Sequence, residues 1–348
     1  MTNSYLAWMA AETKTQWNND SAIDSQAEAA LAQGAIGLTT NPPLSYEALT
    51  QDSELYSEKL ASLDKTLPDG EFAFRAMSLV ASHFSQKFMK LHNEKGGFYG
   101  SVRAQVAPEL RSDAKAMLEY GKRIAAIGKN MMVKIPGTSA GIWVLEELAA
   151  LGIPTNPTVV VTVSQAIAAA EAFERGRERA IKAGIEPAWS SCAIVMGRTQ
   201  DYLVSLNNER NLGISLTDLE WAALAIVKRS YGIYRKRGYN SAIMPAAFRA
   251  PMQVEQLTGG EFFGTIHPKI QADLAEADSK GAVKREIFID SSLDTDAVKR
   301  VSSKVPEFVA AYEPEGLTCE QFDSYGAVTM TLDAFHQGWR SLVSLKQK

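Results

Sequence analysis

One lysine interrupts an otherwise apolar run, Met131-Met132-Val133-Lys134-Ile135-Pro136. Strand alternation puts Met132 and Lys134 on one face, Val133 and Ile135 on the other. If the Val/Ile pair faces covering helices, Lys134 points inward, where desolvation disfavours the ammonium and leaves a nucleophilic amine. Condensation with a carbonyl to form a Schiff base needs such an amine. The plainer reading is a strand-end lysine snorkelling to solvent. Other polar groups gather near the ends of β-branched runs: Thr39-Thr40-Asn41-Pro42, Arg103 and Gln105, Asn156-Pro157-Thr158, Arg198 and Arg249. A rival motif overlaps the lysine segment. Gly137-Thr138-Ser139-Ala140-Gly141 fits G-x-S-x-G between a strand and a helix, as a nucleophile elbow would. A serine hydrolase built on Ser139 would need His267 or His336, but no His-Gly-Gly segment precedes the motif.

The elements that must hold these groups alternate along the chain. Strands are expected at 15–18, 35–40, 100–106, 131–135, 158–162, 191–196, 241–245 and 262–266. Helices are expected at 24–33, 71–88, 112–127, 140–150, 165–183, 218–237 and 251–257, with Ser112 and Thr217 among the polar caps. Strands alternating with helices imply right-handed crossovers and a parallel sheet. Eight of them fit an α/β fold of the (β/α)8 barrel type more simply than an open sheet. Reactive residues then belong at the C-terminal strand ends. Residues 1–280 are read as the barrel. Residues 281–348, with helical segments at 296–301, 307–312 and 319–345, are read as a helical extension packed upon it.

Composition narrows the class further. The chain has 348 residues, 46% of them hydrophobic, and 36 basic against 40 acidic residues give a net charge of −4. That charge offers no bulk attraction for nucleic acid or an anionic membrane. Two cysteines, Cys192 and Cys319, suit a reducing compartment, and no signal peptide is evident at the start, so a cytoplasmic location is expected. The uncharged stretch 149–170 contains Pro154, Asn156, Pro157 and Gln165, which is wrong for a membrane span. Neither G-x-G-x-x-G nor G-x4-G-K-[ST] is present, and His83, His92, His267 and His336 show no metal-ligand spacing with the cysteines. The basic residues Lys228, Arg229, Arg235, Lys236 and Arg237 read as a solvated helix face.

Taken together, GAIGLTTNPPL at 34–44, MMVKIPGTSAGIWVLEELAALGI at 131–153 and NPTVVVTVSQAIAAAEA at 156–172 resemble the transaldolase family of Schiff-base aldolase-type barrels. MGRTQDYL at 196–203, MPAAFR at 244–249 and PEFVAAYEPEGLTCEQFDSYGA at 306–327 extend the likeness over nearly the whole chain. The resemblance implies transfer of a dihydroxyacetone unit from a ketose phosphate, such as fructose 6-phosphate or sedoheptulose 7-phosphate, to an aldose phosphate. It implies sugar-phosphate partners and no metal or organic cofactor, and it leaves a homodimer open. By this resemblance Lys134 is the Schiff-base lysine and Asp20 the general acid/base, with Asn19 the neighbour it could be confused with. Asn41 and Asn156 would hold the dihydroxyacetone hydroxyls, Thr158 would position a water, and Arg198 and Arg249 would grip the phosphate. The sequence also departs from the family pattern. Gln105 stands where transaldolases carry a glutamate and fructose-6-phosphate aldolases a glutamine, which opens aldol cleavage without transfer. Arg103 replaces a small polar residue and either adds substrate-binding charge or pairs with Asp20. Ala247, Ala193 and Val195 replace a serine and a serine–aromatic pair, so a different anionic end group, such as a sulfonate, is conceivable.

Overall fold

The computed structural model describes residues 4–347. Eight strands form its centre: β1 (Gln16–Asn19), β2 (Gly37–Thr39), β3 (Ser101–Gln105), β4 (Met131–Pro136), β5 (Thr155–Thr158), β6 (Ser191–Val195), β7 (Ala242–Ala246) and β8 (Phe263–Ile266). Six pair in the order β5-β4-β3-β2-β1-β8, and β6 pairs with β7, every pairing parallel. Parallel bridges from Thr155 to Ser190 and from Val160 to Ile194 on one side, and from Ile243 to Phe262 on the other, join the two groups, so the strands close into a (β/α)8 barrel.

The helices form the outer ring. α1 (Tyr5–Glu12) precedes the barrel, and α2 (Asp24–Ala32) follows β1. Three helices, α3 (Pro42–Gln51), α4 (Ser53–Ala61) and α5 (Asp69–Lys95), lie between β2 and β3. Next come α6 (Ala114–Ala125), α7 (Ser139–Ala150) and α8 (Val163–Lys182), then α9 (Met196–Glu209) and α10 (Leu216–Arg237) between β6 and β7. α11 (Pro251–Glu255) and α12 (Pro268–Ser279) flank β8, and α13 (Thr295–Lys304), α14 (Pro306–Tyr312) and α15 (Gly326–Ser344) complete the chain. Among the described residues no helix is long and apolar enough to cross a membrane. The uncharged stretch 149–170 is the end of α7, strand β5 and the first turns of α8.

Three sequence expectations shift. The fifth strand is Thr155–Thr158 rather than 158–162, because Val159 takes a φ of 56° and breaks the ladder where the β-branched run suggests it should begin. The caps are Asp113 for α6 and Ser215 for α10, in place of Ser112 and Thr217. In each case the side chain that reaches the N–H three residues ahead decides the cap. Helices α1, α3, α4, α9 and α12 are additions to the sequence reading; α1 is a short, almost wholly apolar segment, and polar residues interrupt the apolar stripes of the others.

Two close approaches hold the top of the barrel together. Gly338 sits where a Cβ would stand 2.4 Å from Pro43 Cδ, so α15 rests directly on the start of α3. A carboxylate ties α7 to the same cover: the Ser139 N–H, at the positive end of α7, donates to Asp323 Oδ1 at 2.7 Å. Val305, Phe308, Phe322 and Trp339 of the last seventy residues belong to the same continuous apolar core as the barrel's Val102, Val133 and Leu148.

Candidate active site

Strand β4 presents its two faces as its alternation requires. Val133 is turned outward against Gly121 of α6 and Leu148 of α7. Lys134 is turned inward and 6% exposed, with Nζ donating to the Thr40 carbonyl at 3.2 Å. Burial pulls its pKa down to about 8; Asp20 opposes the shift and Arg103 adds to it. At pH 7 roughly a tenth of such lysines carry the free amine, against fewer than one in a thousand at the ordinary value of about 10.4.

Lys134 opens into a small cavity of about 80 Å³ that is also lined by Asp20, Asn41, Asn156, Thr158 and Arg198. These residues come from the C-terminal ends of five strands or the loops just beyond them. Asp20 follows β1 and accepts a hydrogen bond from Thr39 Oγ1 at 2.5 Å; that hydroxyl is also 2.8 Å from Thr265 Oγ1. Asn19 does not line the cavity: its amide donates to the Ser21 carbonyl and its oxygen accepts from Gln271. Asn41 caps α3 through Oδ1, which accepts from the Leu44 N–H at 3.0 Å, leaving its NH2 for the cavity.

Several buried polar atoms here have no partner. Asn156 donates to the Ser191 carbonyl and hydroxyl, but its Oδ1 is unmatched, as are Thr158 Oγ1 and Gln105 Oε1. Gln105, Lys134 and Asn156 stand at one level across β3, β4 and β5, since each pairs in register with the next. Polar atoms that no protein group satisfies, beside one amine, are groups free to bind a polar ligand, although Gln105 does not itself line the cavity. Strained backbone adds to the picture. Val159 and Ala247, at φ 56° and 59°, are non-glycine residues in the left-handed region, and both adjoin the cavity.

The arginines divide. Arg198, on the first turn of α9, lines the cavity and is 3.9 Å from Asp201 Oδ2. Burial, and then Arg249, lower its pKa. Arg249 does not line the cavity; its fork is taken by Asp201 at 3.0 and 2.6 Å and by the Ala247 carbonyl. Gly197 makes room for this arrangement, because a Cβ there would stand 1.8 Å from that carbonyl. Arg103 is the clearest correction. It neither lines the cavity nor pairs with Asp20; it is wholly buried one level down, with Nη1 donating to Asn18 Oδ1 at 2.8 Å. Asn18, held in the β1 ladder, reaches it first.

The nucleophile-elbow residues have another use. Thr138 caps α7, and a Cβ on Gly141 would stand 1.8 Å from the Pro136 carbonyl, so this glycine serves a close approach. Ser139 lies outside the cavity, and its neighbours are Asp323 and Cys319. His267 caps α12. Sequence reasoning placed Thr39 at a strand end without giving it a role, and missed Asp201 and Thr265, and also Thr331 and Phe335 of α15, which close the cavity. Asp201 stands three residues after Arg198 on one helix, a spacing that could have signalled it. Nothing local marks Thr331 or Phe335.

The profile of the family described as Transaldolase/Fructose-6-phosphate aldolase matches residues 19–324. The chain belongs to the transaldolase/fructose-6-phosphate aldolase family. It is 26% identical over 346 residues to "Transaldolase 1" of Streptomyces coelicolor, covering 88% of each chain. It is 24% identical over 343 residues to a transaldolase of Thiobacillus denitrificans, covering 85% of this chain and 94% of that one. A transaldolase of Neisseria meningitidis is 35% identical over 158 residues, a stretch that spans only 44% of either chain. The transaldolase/aldolase match takes in every strand end that lines the cavity. It stops before α15, so Thr331 and Phe335 are cavity residues outside the family-matched span.

Proposed function

We propose that the protein is a transaldolase-type enzyme that moves a dihydroxyacetone unit between sugar phosphates through a Schiff base on Lys134. The observation that carries this is the buried, pKa-depressed amine at the end of β4, ringed by hydroxyl-binding groups with unfilled hydrogen bonds. In this reading the neutral amine adds to the C2 carbonyl of a ketose phosphate, and loss of water leaves an iminium. Asp20, placed across the cavity by its bond from Thr39, takes the C4 hydroxyl proton as the C3–C4 bond breaks. The electron pair flows into the iminium and leaves an enamine. The Asn41 NH2 and the unmatched Asn156 Oδ1 suit the two hydroxyls of the retained three-carbon unit. Thr158 Oγ1 and Gln105 Oε1 would hold the water that carries protons during imine formation and hydrolysis. Arg198 meets the phosphate at the mouth, joined by Arg249 when an anion draws that guanidinium from Asp201.

Borohydride reduction in the presence of fructose 6-phosphate or dihydroxyacetone tests this. A covalent gain in mass located at Lys134 is expected; no adduct on the wild type, or an adduct on Lys134→Ala, would sink the reading. A second outcome has its own support in Gln105, which can orient water but cannot share a proton. Its presence favours a dihydroxyacetone-releasing aldolase. Free dihydroxyacetone measured against transfer to erythrose 4-phosphate separates the two, and Gln105→Glu is expected to move the ratio toward transfer.

A further inference from the structure

A full positive charge lies buried in the barrel without a counter-ion. Arg103 is 0% exposed, and Nη1 is met by the neutral Asn18, while Nε and Nη2 meet no hydrogen-bonding group of the described residues. No carboxylate among the described residues forms an ion pair with it. Sequence and packing build this arrangement together. Asn18 donates to the Phe263 and Gly264 carbonyls at 3.0 and 3.1 Å, which turns its oxygen toward the guanidinium. Gly37 leaves the space, since a Cβ there would stand 2.7 Å from that oxygen. A buried unpaired cation is among the costlier things a fold can hold, so what it faces matters.

It faces Lys134. Arg103 pairs in register with Met132, and Lys134 lies two residues further along the same face of β4, a strand layer of about 6.6 Å. The other elements around the lysine contribute one opposing charge. β1 leads to Asp20, while β2 offers Thr39 and the Thr40 carbonyl, and β5 offers Asn156 and Thr158. β6, β7 and β8 bring Ala193, Val195, Met244, Ala246 and Thr265, and α15 brings Thr331 and Phe335, all uncharged. Arg198 stands at the mouth, with Asp20 and Asp201 near it.

We propose that Arg103 is a positioning residue for the Schiff-base reaction, a fixed charge beneath Lys134 that disfavours a second positive charge there and so keeps the lysine available as the free amine. It takes this part instead of binding substrate. The influences on Lys134 run burial first, then Asp20 opposing it, then Arg103 as the smallest, and the direction of the last agrees. Burial lowers Arg103 itself only to about 9, so it stays charged at neutral pH. For two charges one strand layer apart, removing one moves the other's titration by roughly one to two pH units.

The test is the pH dependence of borohydride trapping on the intact chain, with dihydroxyacetone and with fructose 6-phosphate, from about pH 6 to 10. Arg103→Gln keeps a donor for Asn18 and loses the charge; Arg103→Met fills the space with carbon. Both are expected to move the trapping midpoint upward by about one to two pH units, slowing trapping at pH 7 by about ten- to a hundredfold and converging on the wild type in alkali. A midpoint that stays in place while rates fall evenly at every pH would overturn the proposal, as that is what a purely structural loss does. Should neither variant fold, a wild-type midpoint in the ordinary lysine range near 10.4 would overturn it too. The inference rests on the Schiff-base reading, and the two fail differently. Absence of any wild-type adduct removes that reading, whereas trapping at Lys134 indifferent to Arg103 removes only this one.

Discussion

The two ends of the barrel are made of the same strands and solve opposite problems. At the N-terminal end aromatic rings pack together: Phe98 lies on Phe263 with centroids 4.2 Å apart and leans on the half-exposed Trp189 at 6.0 Å. At the C-terminal end the interior holds Lys134, Asp20, Asn156 and Thr158, and polar atoms go unmatched. One end is held by apolar packing. The other keeps polar atoms that no protein group matches, and the left-handed Val159 and Ala247 are there as well. Stability and chemistry are thus separated along the barrel axis, with Arg103 between them.

This contrast can be broken from either side. The largest effect is expected from Lys134→Met. Activity and trapping should fall by at least about a thousandfold, yet the variant should be more stable than wild type by about 3 kcal/mol at pH 7 in denaturant titrations. The sign follows from proton binding. Folded Lys134 gives up its proton near pH 8 and the unfolded chain near 10.5, so wild-type stability rises with pH across that window and the methionine variant lacks the rise. A loss of stability at pH 7 would mean that the mouth is not under strain.

At the opposite end Phe262, 1% exposed and packed on Tyr231 at 4.5 Å, should behave in reverse. Phe262→Ala is expected to cost about 3–5 kcal/mol of stability while kcat per folded molecule changes less than about twofold. A large kcat loss would show the ends to be coupled. The smallest effect concerns the cover. Phe335→Ala on α15 should raise KM by several-fold, up to about tenfold or 1.4 kcal/mol, with kcat nearly unchanged. An unchanged KM would leave α15 as packing alone.

Legibility in the sequence followed the same division. Short β-branched runs alternating with helices announced a parallel barrel, and seven of the eight strands overlap their expected places closely. The fifth does not, since a run of β-branched residues carries no sign of the backbone reversal at Val159 that ends the strand at Thr158. Lys134 stands out because a charge inside an apolar strand is costly and therefore conspicuous. Arg103 lies on a strand of the same kind, but whether it meets Asp20, Asn18 or a ligand depends on which neighbour's oxygen comes within reach. Arg249 reads as free for an anion in the sequence, whereas Asp201, on a different element, holds it in the fold.

The sequence by itself determined the repeating strand–helix order, the place of Lys134 inside an apolar strand and the clustering of polar residues at strand ends, because periodicity and the cost of burying charge act locally. Tertiary structure alone decided which polar atoms would be left unmatched, that α15 would cross the mouth through Gly338 and Phe335, and that Arg103 would sit uncompensated below the amine. Those outcomes depend on distances between residues far apart in the chain, and no local propensity encodes such distances.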